Sequence, residues 1–166
     1  MKSYGQEASV DRSHQRVGIA DFAVTSGGAL LTTSGLGSCL GIGLYDEPAG
    51  VAGLAHVMLP TAPDDPPNVA KFTDTGIEAV LRAMRDEGAH DADTRAKLAG
   101  GSAMFQFDSQ EHSIGERNVE TARAMLDRLD IPIVAEDIGG DSGRSLRFHG
   151  DDGTLVVKSA GTERCL

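Results

Sequence analysis

Apolar and polar positions along this chain follow two different periods. Around Ile77, Val80, Leu81 and Met84, and again at Val119, Ala122, Leu126 and Leu129, apolar residues recur every three or four positions, which lays one stripe along a helix. The first helix is expected to start at Thr73 or Asp74 and to stop at Gly88. The second follows Ser113-Ile114-Gly115-Glu116, a capping box in which serine hydroxyl and glutamate carboxylate satisfy reciprocal backbone N–H groups. Elsewhere the period is two or the runs are apolar, which predicts strands at residues 17–24, 40–44, 51–59, 97–107 and 131–138, while a short apolar run at residues 29–32 leads into a glycine-rich loop. The first of these strands has a slip near Ala20-Asp21, and the fourth has a glycine bulge or close backbone approach at its middle. A hairpin pairs residues 144–149 with 154–158, because Leu146 and Phe148 alternate against Leu155 and Val157.

In residues 40–44, Leu40, Ile42 and Leu44 alternate with Gly41 and Gly43, so one face carries bulk and the other is bare backbone that another layer can approach. Residues 60–67 hold four of the six prolines and form an extended surface loop. Counting the elements gives about seven strands and two helices, with strands joined mostly by turns. The fold class expected is α+β, with a mixed, largely antiparallel sheet. Residues 1–16 lack any apolar period and read as a flexible arm, residues 17–160 as a single domain, and residues 161–166 as a fraying tail.

Composition narrows the function classes. A chain of 166 residues with 40% hydrophobic content can bury one ordinary core. Its apolar runs stop well short of the roughly 18 residues a membrane span needs, and no basic segment leads into an apolar one near residue 1, so a soluble, cytoplasmic protein without membrane insertion is expected. The net charge of −10 and the absence of a basic stripe exclude a nucleic-acid partner. The spread-out acidity suits high salt, and a halophilic source is the expectation it raises. The two cysteines, Cys39 and Cys165, are read as free thiols.

The candidate chemistry lies in Thr33-Ser34-Gly35-Leu36-Gly37-Ser38-Cys39 and in His56, seventeen residues after the cysteine. A thiol in a glycine-rich loop with an imidazole on a neighbouring strand has the parts of a cysteine nucleophile and its base. Backbone N–H groups of the loop around Gly37, Ser38 and Cys39 can turn inward as an oxyanion hole. A hydroxyl should orient the ring, and Thr33 or Ser38 can supply it, Thr33 being better placed at the start of the loop. The same residues also fit a bland reading, since cysteine often serves as a small buried hydrophobe and a histidine among Leu54, Ala55, Val57 and Met58 as a core residue. Register decides whether His56 faces the thiol, because one residue of slip turns it to the other face. No dinucleotide fingerprint is present, since the third glycine falls one place late and strand follows. His14, His56, His90, His112 and His149 show no ligand spacing, so neither a metal nor a cofactor is expected.

Taken in order, Thr33 to Cys39, Gly53-Leu54-Ala55-His56-Val57-Met58-Leu59-Pro60, Lys97-Leu98-Ala99-Gly100-Gly101-Ser102, Ile114-Gly115-Glu116-Arg117-Asn118-Val119 and Asp137-Ile138-Gly139-Gly140-Asp141-Ser142-Gly143-Arg144 resemble the successive motifs of the CheD family of chemoreceptor glutamine deamidases. The resemblance implies a layered α/β sandwich of the CheD-like cysteine hydrolase fold. It implies a catalytic Cys39, His56 and Thr33, and hydrolysis of selected glutamine side chains to glutamate on cytoplasmic helices of chemoreceptors (methyl-accepting chemotaxis proteins). It also implies binding to CheC, a phosphatase of the response regulator CheY. A non-catalytic adaptor that binds CheC is the alternative, and receptor methyl-ester hydrolysis a third. Ser102 departs from the alanine commoner in the family, and the residue 1–16 arm and acidic surface are not family traits.

Overall fold

A computed structural model describes residues 14–103 and 113–166. In chain order the elements are β1 (His14–Arg16), β2 (Asp21–Thr25), β3 (Leu30–Leu36), β4 (Leu40–Asp46), β5 (Val51–Val57), α1 (Thr73–Asp86), β6 (Thr94–Gly100), α2 (Ile114–Arg128), β7 (Ile133–Ile138), β8 (Arg144–His149), β9 (Leu155–Ser159) and β10 (Thr162–Cys165). The strands form two five-stranded sheets, ordered β1-β3-β8-β9-β10 and β2-β5-β4-β6-β7. Among the described strands only β1–β3 and β6–β7 pair in parallel, the latter across the α2 crossover, so the sheets are mixed and largely antiparallel as expected.

The alternation in β4 explains the layering. Leu40, Ile42 and Leu44 face Ile77, Val80, Leu81 and Met84 of α1 and Val119, Ala122 and Leu126 of α2 in one buried cluster. The other face of the same sheet, with Ala52, Leu54 and Ala99, packs against Leu31, Leu146, Phe148, Leu155 and Val157 of the first sheet. The bare backbone at Gly41 and Gly43 is what lets the sheets close. A Cβ at Gly41 would collide with Leu146, and one at Gly43 would press on the Phe148 ring at 3.0 Å. The result is a three-layer α+β sandwich, with sheet on sheet and two helices on the outer face of one of them.

Several sequence expectations are corrected. The strand expected at residues 17–24 begins only at Asp21: residues 17–20 link β1 of one sheet to β2 of the other, and Ala20, at φ 59°, breaks the extended backbone there. The expected arm is ordered at its end, since His14–Arg16 pair with Leu30, Leu31 and Thr32. The expected tail is strand β10, tied to β9 from Thr162↔Ser159 to Cys165↔Val156 and to the core by Lys97, whose Nζ donates to the Gly153 and Leu166 carbonyls. Ten strands are found among the described residues because these short edge strands carry little periodicity. Helix α1 has Phe72 at its N-cap with no side-chain cap; the Thr73 hydroxyl donates to the Leu59 carbonyl, and the Asp74 carboxylate accepts from the Ala62 N–H. Gly88, at φ 104°, does end that helix, and the capping box of α2 is formed by Ser113 and Glu116. Strand β6 stops at Gly100, and residues 104–107 of the expected strand lie outside the described residues.

Candidate active site

Strand β3 runs through Thr33, where a bulge shifts its register against β8 from Thr33↔Leu146 to Leu36↔Arg144. Ser34-Gly35-Leu36 are therefore strand, not the loop the glycines suggest; Gly35 sits at φ 76°. Residues 37–39 then cross from the first sheet to the second, where Leu40 opens β4. The register left open by the sequence is settled: His56 pairs with Gly41 on β4 and with Asp21 on β2. Its ring thus shares the inter-sheet face with Leu54, on the side from which Thr33 projects.

Thr33 and His56 meet there. Thr33 Oγ1 lies 2.7 Å from His56 Nδ1, and the same hydroxyl donates to the Val17 carbonyl at 2.8 Å. A hydroxyl has one proton; with that proton on the Val17 carbonyl, the ring contact must run from Nδ1–H to Oγ1. Nε2 is then the bare nitrogen, free to take a proton. His56 is fully buried and Nε2 has no hydrogen-bond partner. Burial pushes the imidazole pKa below its ordinary 6.5, so the ring rests neutral at neutral pH. The residues linking β1 to β2 hold both partners, since the Ala20 N–H donates to the His56 carbonyl and Val17 receives the Thr33 proton.

Cys39 is half-buried and free, and packs against the same inter-sheet cluster. It stands in the crossing loop, immediately before β4 and two residues before Gly41, the ladder partner of His56. The thiol does not hydrogen-bond Nε2. Burial pushes its pKa above the ordinary 9.0, against the opposing pull of its own backbone N–H. The resting pair is therefore neutral thiol and neutral imidazole. Thr33 and His56 are in direct contact, and Cys39 packs against the inter-sheet cluster from the sheet-crossing loop.

All three loop carbonyls are held. The Gly37 carbonyl accepts from Ser102 N–H at 2.9 Å, and that of Cys39 from Gly101 N–H at 2.8 Å. The Ser38 carbonyl accepts from Asn118 Nδ2 at 2.9 Å, and the same nitrogen donates to the Met58 carbonyl at 3.1 Å. Gly100 and Gly101 sit at φ 115° and 65°, and a Cβ at Gly100 would stand 2.5 Å from the Cys39 carbonyl oxygen, so the expected close backbone approach is found. The sequence points to a structural role for Asn118 and to Val17 only as the start of the domain, and to neither as part of the site. Asn118 had left a signal, a polar residue inside the stripe of Gly115, Val119, Ala122 and Leu126 that α2 buries.

At the opposite end of β4, Asp46, His90 and Asp93 bring one possible ligand atom each within 4.8 Å of one another. The Asp46 carboxylate is already engaged by the Ala49 and His90 N–H groups, which accounts for its burial.

The sequence carries the family signal directly. Residues 58–159 match the family described as CheD chemotactic sensory transduction, a stretch that starts two residues after His56. A "Probable chemoreceptor glutamine deamidase CheD" of Haloarcula marismortui is 53% identical over 149 residues, covering 89% of this chain and 86% of that protein. This chain belongs to the CheD family. A CheD of the same printed name from Caldanaerobacter subterraneus is 51% identical over 88% of this chain and 93% of its own. The "Chemoreceptor glutamine deamidase CheD" of Bacillus licheniformis is 42% identical over 96% and 95%. Relatives from Haloarcula and Natronomonas are in keeping with the acidic composition of this CheD chain. Among solved structures, Bacillus licheniformis hypothetical protein YfiH aligns at TM-score 0.46 and 20% identity, over 70% of this chain and 49% of that one. Among the described residues no helix is long and apolar enough to cross a membrane.

Proposed function

We propose that this CheD chain hydrolyses glutamine side chains of chemoreceptors to glutamate, with Cys39 as nucleophile, His56 as base and then acid, and Thr33 as the group that orients the ring. The observation that carries the reading is the relay from Nδ1–H of His56 through Thr33 Oγ1 to the Val17 carbonyl, which presents a bare Nε2 on the face that Cys39 shares. Because thiol and imidazole rest neutral, the proton moves as the bond forms. The sulfur adds to the carboxamide carbon while its proton passes to Nε2, and the oxyanion is taken by the backbone N–H of Cys39 with that of Ser38. The imidazolium returns the proton to the leaving nitrogen, the C–N bond breaks and ammonia departs. Water then adds to the thioester with His56 again as base, and the C–S bond breaks to give glutamate and the thiol. A rotation of the Cys39 side chain toward Nε2 precedes the first step, since the two are not bonded at rest.

A cytoplasmic site of action goes with this reading, because the glutamines it acts on would lie on cytoplasmic receptor helices. CheC is the further partner that family membership supports, and retention of CheC on immobilised protein tests it. The catalytic reading is tested by incubating a purified receptor signalling fragment with the wild type and with Cys39→Ala. Mass spectrometry should show amide-to-acid conversion by the wild type alone. Equal conversion by both proteins would remove Cys39 from the mechanism, loss of methyl ester in place of amide would reassign the substrate, and CheC retention without either would leave the adaptor reading.

A further inference from the structure

We infer that Asn118 is a positioning residue for the reaction: from helix α2 it fixes the peptide plane between Ser38 and Cys39 and so aims the Cys39 N–H at the acyl oxygen. The inference rests on the reading of Cys39 as nucleophile. Asn118 is fully buried in the second turn of α2, where an amide is costly unless its hydrogen bonds are made. Both protons of Nδ2 are used, on the Ser38 carbonyl at 2.9 Å and the Met58 carbonyl at 3.1 Å. Ser38 precedes the thiol and Met58 lies two residues beyond His56, so one amide group clamps the nucleophile segment to the strand that carries the base. The oxygen end is weakly used: Thr73 Oγ1 lies 3.5 Å from Oδ1 and gives its proton to the Leu59 carbonyl at 3.0 Å.

The peptide bond transmits this contact. Among the described residues no cis bond occurs, and in a trans peptide the carbonyl and the following N–H point in opposite directions. With the Ser38 oxygen drawn toward α2, the Cys39 N–H faces away from the helix. That N–H also draws the thiol pKa down against the effect of burial. The flanking planes are set differently. The Gly37 and Cys39 carbonyls are held by backbone N–H groups of Ser102 and Gly101, which no side-chain replacement removes. Of the three planes in the crossing loop, the one that carries the Cys39 N–H is held by a side chain, whereas the one that carries the Ser38 N–H is held by backbone.

The test compares two reactions at the same sulfur in a Cys165→Ser background. Deamidation of a receptor fragment builds an oxyanion; alkylation by iodoacetamide displaces iodide at saturated carbon and builds none. Asn118→Ala should lower kcat about 10²- to 10³-fold, the scale of one lost oxyanion donor, with KM and the alkylation rate each within about threefold of the parent. A parallel fall in alkylation, or a kcat within threefold, overturns the inference. Asn118→Asp provides the near-isosteric arm. Its carboxyl donates when protonated and repels two carbonyls when ionised, so its kcat relative to the parent should climb as pH falls, and a flat ratio counts against the role. Cys39→Ala, run alongside, separates failure of this inference from failure of the nucleophile assignment, because only the latter leaves deamidation intact without the thiol.

Discussion

Thr33 Oγ1 and His56 Nδ1 are 2.7 Å apart, between a strand of one sheet and a strand of the other. The contact joins the two halves of the sandwich at the point where the chain crosses between them. Its direction is set from outside the pair, because the Val17 carbonyl occupies the only proton that Thr33 has. A main-chain atom in the short link between β1 and β2 therefore selects the ring tautomer, and the tautomer decides which nitrogen serves as base.

Removing that hydroxyl should uncouple orientation from burial. In Thr33→Val the shape is kept, but the Nδ1–H and the Val17 carbonyl both lose their partner, at about 1–3 kcal/mol for each buried polar group left unpaired. Deamidation should fall by about 10²-fold or more as the ring loses its fixed tautomer, while Thr33→Ser retains most of the rate. Steady-state kinetics on a receptor fragment with urea unfolding of each variant check this. Full activity in Thr33→Val would detach the threonine from the reaction.

The pH profile follows from two shifts of opposite sign. His56 must be neutral to accept the thiol proton, and burial lowers its pKa, so the acid limb of kcat/KM should lie below pH 6.5. Burial raises the Cys39 pKa, so loss of the one-proton pair on the alkaline side should come above pH 9.0. The plateau is thus wider than the ordinary values would give. Stability shares the acid limb. Below 6.5 the unfolded chain takes up a proton on His56 that the folded chain refuses, so stability present above that pH is lost as pH falls toward the folded value. An acid limb above 6.5 would mean that burial does not hold the imidazole pKa down.

Much of this architecture was legible in the residues, for reasons that differ by element. The helices announced themselves because each buries one stripe, and the bare face of β4 forecast a close layer, which Leu146 and Phe148 provide. Edge strands β1 and β10 were read as arm and tail, because β1 and β10 are exposed throughout and are held by backbone pairing that leaves no pattern in side chains. The same limit hid Val17, whose contribution is a carbonyl. The pair Thr33 and His56 was available from residue types, but its geometry depended on a register that period-two alternation leaves free. Gly35 was read as loop since a bulged strand and a turn ask for the same residue.

The motif from Asp137 to Arg144 had no assigned role, and its charges now have one. Arg144 is 8% exposed, and its Nε and Nη2 donate to Asp137 Oδ1 at 3.3 and 3.1 Å, while the exposed Arg164 reaches Oδ2 at 3.2 Å. Arg144 pairs with Leu36 at the end of β3, so this carboxylate steadies the strand end from which the crossing loop departs. Asp137→Asn removes the charge that balances a buried guanidinium and should destabilise the fold by about 3–5 kcal/mol. Arg164→Ala removes an exposed partner and should cost under about 1 kcal/mol. Urea denaturation at neutral pH distinguishes them. Equal and small effects would mean that the Arg144 guanidinium is solvated, and the ion pair would then have no part in holding the loop.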